Sequence, residues 1–268
     1  MMEEKSVLLA EMTWEEAKDL AETGAAAVVP TGSTEQHGPH MPLKTDHYLV
    51  YEVAVRAALL ASSKVEVLVA PVIPYGCSGV HMEFSGTMTV SQTVYIQMVK
   101  ELGQSLVNGG FKRVLFLNGH GGNFAPLVVA AKDLYDLTGA TIAVANYFHQ
   151  APKAVADLRE SPLGGICHSG ELETSCMLFL DPESVRTDRA ARAIPQWKTE
   201  YVLDDLMKGG RAGLAYHVAD VSPMGTLGDP SIATREKGEK WIEAMIRGVA
   251  DLIVDFASWE TRRMCTFK

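Results

Sequence analysis

Four short apolar runs, "AAAVVP", "VEVLVAPVIPYG", "KRVLFLN" and "ATIAVANYF", alternate with longer stretches in which apolar residues recur at helical spacing. The intervening stretches are "DHYLVYEVAVRAALLAS", "SQTVYIQMVKELGQSLVNGG" and "FAPLVVAAKDLYDLTG". Strand alternating with helix predicts an α/β layer fold with a mainly parallel sheet, because parallel neighbours need a crossover between them. In such sheets ligands collect beyond the carboxyl ends of the strands. Two segments rich in polar residues, one after Pro30 and one after Leu117, fall at such ends.

The flanking regions are read the same way. "EMTWEEAKDLAETG" places Thr13 three residues before Glu16, a capping-box spacing, and stops at Gly24, so it predicts a first helix. Asp46 is expected near the N-terminus of the helix that follows the first strand. "SPLGGICHSG" reads as a loop, and "ELETSCMLFL" as a helix with Leu172, Cys176 and Phe179 on its buried stripe. "AYHVADVSPMGTLGDPSIAT" reads as a long surface or subunit-contact loop, and "REKGEKWIEAMIRGVADLIVDFASW" as a closing amphipathic helix. Without an internal repeat, low-complexity tract or linker, residues 1–268 are expected to form a single domain.

Composition narrows the function. A net charge of −9 with no basic cluster argues against a nucleic-acid partner. No apolar stretch approaches the ~18–20 residues of a membrane span. The N-terminus, "MMEEKSVLLAEMTWEE", is unlike a secretory signal. Cys77, Cys167, Cys176 and Cys265 are scattered without CxxC spacing, which predicts reduced thiols in a cytoplasmic protein. The shortage of basic residues near the motifs points to a neutral or weakly anionic small-molecule substrate, with Lys44 as the one nearby cation.

The segment "TGSTEQHGPHMPLKTDH" carries Glu35, His37 and Asp46 from a strand end into the next helix. His120 leaves another strand end in "NGHGGN", whose glycines allow close approach, and "HSGELETS" adds His168, Glu171 and Glu173. Mixed oxygen and nitrogen ligands without thiolate suit Zn²⁺, Mn²⁺ or Fe²⁺. One aspartate with ligands on either side would bridge two ions, an arrangement suited to hydrolysis. The competing readings are hydrogen-bonded structural histidines and a turn selected for positive φ.

Taken together, "GSTEQHGPHMPLKTD", "NGHGGN" and "HSGELETS" resemble the creatininase (creatinine amidohydrolase) family, in the branch with an NGHGGN motif. The resemblance implies a three-layer α/β/α domain, a homohexamer and hydrolysis of a C–N bond in a cyclic amide, formamide or peptide. It implies two divalent metal ions per chain and attack by metal-bound hydroxide. Carried onto this chain, Glu35, Asp46 and His120 resemble the ligands of one ion, and His37 and Asp46 those of the other. Gly122 stands where creatininase itself has a glutamate, so Glu173 is expected to replace that ligand, with Glu171 as the alternative. His168 matches the residue that shuttles protons, and Ser78, His81, Gly121 and Gly122 are expected to contact substrate. His40 is expected in a structural or supporting role. The stretch from Asn146 to His168 has no tryptophan, whereas creatininase lines its pocket with tryptophans, so creatinine is not the expected substrate. C–C hydrolysis of a cyclic diketone and a non-catalytic metal-binding accessory protein are the alternatives.

Overall fold

The computed structural model describes residues 6–260. The first helix, α1 (Trp14–Glu22), begins at the expected capping box: Glu16 N donates to Thr13 Oγ1 at 3.3 Å and Thr13 N to Glu16 Oε2 at 2.7 Å. The chain then alternates through β1 (Ala26–Thr31), α2 (Thr45–Ala61), β2 (Val67–Val69), α3 (Gln92–Asn108), β3 (Arg113–Asn118), α4 (Phe124–Thr138) and β4 (Thr141–Asn146). The strands form one parallel sheet in the order β2-β1-β3-β4. The direction of winding reverses between β1 and β3, and that reversal opens a crevice at their carboxyl ends.

The sheet is covered on both faces, which is why its strands read as apolar runs and not as alternating patterns. Ala26 and Val28 of β1, with Leu115 and Leu117 of β3, face a core shared with α2 and with α8 (Arg235–Phe256). Their neighbours Ala27, Val29, Val114 and Phe116 face the opposite core, which α1, α3 and α4 complete. The architecture is a three-layer α/β/α fold. Each fully buried Leu or Phe contributes on the order of 2 kcal/mol through removal of apolar surface from water.

β2 gives way to a loop after three residues, because Pro71 and Pro74 deny the ladder its N–H donors; beyond it the pairing survives as an isolated bridge between Thr31 and Ile73. Other local expectations are corrected. After α5 (Pro152–Leu158), "SPLGGICHSG" is not all loop but contains β5 (Ile166–His168). The helix in "ELETSCMLFL" exists as α6 (Glu171–Leu180), yet it has no single buried stripe: Glu171 through Met177 are all buried. The glycine- and proline-rich stretch from Ala215, expected as a surface or subunit-contact loop, is not all loop. It forms α7 (Val218–Val221) and β6 (Leu227–Gly228), pairs antiparallel with β5, and buries Ser222, Thr226 and Asp229. Cys265 lies outside the described residues; Cys77, Cys167 and Cys176 are free thiols. Among the described residues no helix is long and apolar enough to cross a membrane.

Candidate metal centre and active site

Four segments converge at the crevice. The loop after β1 supplies Glu35 and His37, and the first turn of α2 supplies Asp46. The turn after β3 supplies His120; the end of β5 and the first turn of α6 supply His168 and Glu173. Three sets of side chains bring ligand atoms within 4.8 Å of one another: Glu35, Asp46 and His120; His37, Asp46 and Glu173; and Glu35, His37 and His168. Asp46 belongs to the first two. Its Oδ1 lies 2.9 Å from His37 Nε2 and its Oδ2 lies 2.9 Å from His120 Nδ1, so one carboxylate faces both halves of the cluster. Asp46 and Glu173 both sit in first turns, where exposed N–H dipoles ease the burial of negative charge.

The histidines are turned in a common manner. His37 Nδ1 donates to the Glu35 carbonyl at 3.1 Å, His120 Nε2 to the Cys77 carbonyl at 3.2 Å, and His168 Nε2 to the Gln36 carbonyl at 2.8 Å. Each ring therefore spends its outer N–H on a backbone oxygen and turns its other nitrogen toward the carboxylates, the arrangement that orients imidazole toward a cation. His81 is different. Its Nδ1 accepts from Gln36 Nε2 at 2.8 Å, which leaves the proton on Nε2, 3.3 Å from Glu35 Oε1. It lies beside Glu35 and lines the cavity without offering a lone pair to the cluster.

The electrostatics demand positive charge. Both oxygens of Glu35 and Oδ2 of Asp46 are buried without a hydrogen-bond partner among the described residues. Burial disfavours the cationic form of His37, yet the Asp46 carboxylate, with Glu173 and Glu35 behind it, outweighs this and pushes its pKa up to about 10. Burial likewise opposes His120, and Glu35 and Asp46 together drive its pKa well upward. Burial raises the Glu173 carboxyl, reinforced by Asp46 and Glu35. Glu35 and Asp46 with orphaned oxygens, Glu173 beside them and imidazoles aimed inward form a donor set that fits divalent zinc or manganese.

The surrounding shell contains residues that motif reading passed over. Gln36 sits between His81, His168 and the Gly225 carbonyl, with Nε2 at 2.8, 2.9 and 2.9 Å from them. Gly225 has φ 79°, and a Cβ there would lie 2.0 Å from Gln36 Oε1, so only glycine fits. Asn118 accepts from Thr31 Oγ1 at 3.2 Å and donates to the His120 carbonyl at 2.7 Å, tying β1 to the turn that carries His120. Ser169, at φ 50° the one non-glycine residue with positive φ among those described, points its N–H at Glu173 Oε2, 2.6 Å away. Gln36 and Asn118 stood within the quoted motifs; the signal was present, but their partners are distant in sequence.

Other expected site residues separate. Gly121 and Gly122 line the cavity. A Cβ at Gly122 would lie 2.5 Å from the Cys77 carbonyl oxygen and 2.6 Å from His120 Nε2, so a larger residue here would displace His120. Ser78 is fully buried, and its hydroxyl pairs with that of Ser33. His40 is buried behind the cluster with Nε2 3.0 Å from Thr174 Oγ1. Glu171 turns away from the cluster: it accepts from Lys237 Nζ at 2.8 Å and from the backbone of Glu160 and Ser161 at 3.1 and 2.9 Å. Glu171→Ala, which leaves the buried Lys237 ammonium short of a counter-charge, is expected to cost about 3 kcal/mol in urea unfolding. A loss below about 1 kcal/mol would show that Glu160 alone satisfies Lys237.

A cavity of about 560 Å³ opens onto the cluster, with Asp46, His81, His120, His168 and Glu173 in its wall. Lys44 does not reach it; its ammonium pairs with Asp181 at 2.7 Å.

Residues 10–253 match the family model described as "Creatinine amidohydrolase". The chain belongs to the creatininase family. The family includes metal-dependent amidohydrolases, which hydrolyse C–N bonds. Among curated relatives, the "Mycofactocin precursor peptide peptidase" of Mycobacterium tuberculosis is 35% identical over 249 residues, covering 91% of this chain and 89% of that protein. The solved structure described as "Creatininase Mn" superposes with a TM-score of 0.80 at 30% identity, covering 94% of this chain and 98% of that one. A variant creatininase of "Zn-Zn type" gives a TM-score of 0.78 at 29% identity over 94% of this chain and 98% of that chain.

Proposed function

We propose that this creatininase-family chain holds two divalent cations, zinc or manganese, and hydrolyses a C–N bond of a cyclic amide, formamide or related small molecule. The observation that carries this reading is Asp46, whose two oxygens face separate groups of ligands. One cation site comprises Glu35, Asp46 and His120, and the second His37, Asp46 and Glu173. Cations bound there supply the acidity that deprotonates water near neutral pH and the charge that polarises a carbonyl.

The protein's own residues complete the chemistry. Burial and the neighbouring His37 and His81 hold the His168 pKa well below the usual imidazole value, so the ring is neutral near pH 7. With Nε2–H committed to the Gln36 carbonyl, Nδ1 is free to take a proton from the attacking water and return it to the departing nitrogen. The glycines at 121 and 122 let substrate approach the floor of the cavity. A short peptide amide is the second reading, favoured by the 35% identity with the mycofactocin precursor peptide peptidase. A homohexamer and a cytoplasmic setting accompany the proposal by family resemblance.

Metal analysis followed by a turnover screen of lactams, formamides and short peptides tests the function. Two ions per chain with hydrolysis of at least one amide class is expected; two ions with no turnover of any would favour an accessory role. The ligand set has its own test. Glu173→Gln is expected to retain one ion of two, whereas Glu171→Gln retains both. The reverse pattern would place the ligand on the other side of α6.

A further inference from the structure

Besides the metal-ligand cluster, a second part of the cavity wall comes from residues between Asp204 and Tyr216, and it carries an unused charge. Asp205 is locked into the protein: it accepts from Arg159 Nη2 at 2.6 Å, Gly164 N at 2.8 Å and Met207 N at 3.1 Å. With its neighbour pinned in this way, Asp204 is left on the cavity side. Its Oδ2 accepts the Tyr216 hydroxyl at 2.9 Å, and the Tyr216 ring rests against Trp197 with centroids 5.2 Å apart. Among the described residues no lysine or arginine lies within ion-pair distance of Asp204, and none lines the cavity. The rest of this wall is apolar, with Leu206 and Leu214.

A half-buried carboxylate with one neutral donor retains free acceptor capacity, and an apolar surround strengthens whatever charge-assisted hydrogen bond it makes. We propose that Asp204 determines specificity by receiving a cationic or N–H-donating group of the substrate, and that the cavity disfavours substrates bearing a carboxylate there. The proposal rests on the reading of this cavity as the substrate site. It restricts the amide substrate to one that carries an amine, guanidine or amide N–H within reach of Asp204 when the scissile carbonyl lies at the metal centre. Tyr216, held upright by Trp197, keeps the carboxylate oriented toward that group.

The test is a binding measurement, so that its outcome is independent of turnover. Straight-chain hydroxamic acids in two lengths, ending in an ammonium, a carboxamide or a carboxylate, are titrated calorimetrically into the zinc-loaded protein. The hydroxamate anchors each probe at the metals while the far end samples Asp204. The ammonium-ended probe of one length is expected to bind about tenfold or more tighter than the carboxylate-ended one, the worth of one hydrogen bond to a charged group. Asp204→Asn, which still accepts from Tyr216, is expected to remove that advantage, and Asp204→Lys to reverse it. A purely structural role would weaken all three probes together in both variants and would overturn the proposal, as would equal affinities in the wild type. Ammonium preference without hydrolysis of any amide would sustain it while overturning the hydrolase reading.

Discussion

Asp46→Ala is expected to abolish turnover and to lower bound metal at both positions. Asp46 is the one residue common to the Glu35–His120 and His37–Glu173 groups, with an oxygen 2.9 Å from an imidazole nitrogen on each side. Removing it takes one ligand from each cation site at once. In the proposed two-ion centre it would also remove negative charge that offsets the repulsion between the cations. Loss of an outer-shell partner alone typically costs 10–100-fold in metal affinity, so loss of a shared ligand has a larger effect. The measurement is metal content after dialysis against dilute chelator, paired with activity. A variant that keeps two ions and substantial turnover would rule out the bridge.

His168→Ala is expected to leave metal content nearly unchanged while slowing turnover by roughly 10²–10⁴-fold, the usual worth of positioned acid–base assistance. The ring lies at the cavity with Nδ1 3.6 Å from Glu35 Oε1, longer than the contacts Asp46 makes, and its other nitrogen is anchored on the Gln36 carbonyl. Substrates with better leaving groups need less protonation, so the defect should shrink along a series of activated amides. Loss of an ion in this variant would instead make His168 a ligand through the Glu35–His37–His168 group, and the leaving-group trend would then be flat.

Much of this was legible before folding. Local rules decide a capping box, so Thr13 and Glu16 announced α1. Apolar runs buried on both faces announced β1 and β3, and the polar segments after them fell at carboxyl ends where a doubly wound sheet opens. The family was readable because its motifs are contiguous: Glu35 and His37 stand two residues apart, and Asp46 follows within the same loop and helix turn.

Long-range contacts decided the rest. Glu171 and Glu173 stand about 100° to either side of Leu172 on a helix, so sequence spacing treats them alike. Lys237 of α8, 66 residues away, captured Glu171, and the Ser169 N–H turned Glu173 toward His37 and Asp46. The glycine- and proline-rich segment read as surface because composition cannot report that β6 finds β5 and that Gly225 meets Gln36. Ser78 stood in a pocket motif yet spent its hydroxyl on Ser33. Asp204 carried no motif at all. Motif, cap and periodicity are properties of neighbours along the chain, and the sequence determined them; which face of α6 met the cavity, and which carboxylate in its wall was left without an ion pair, depended on partners that only tertiary packing brought within hydrogen-bonding reach.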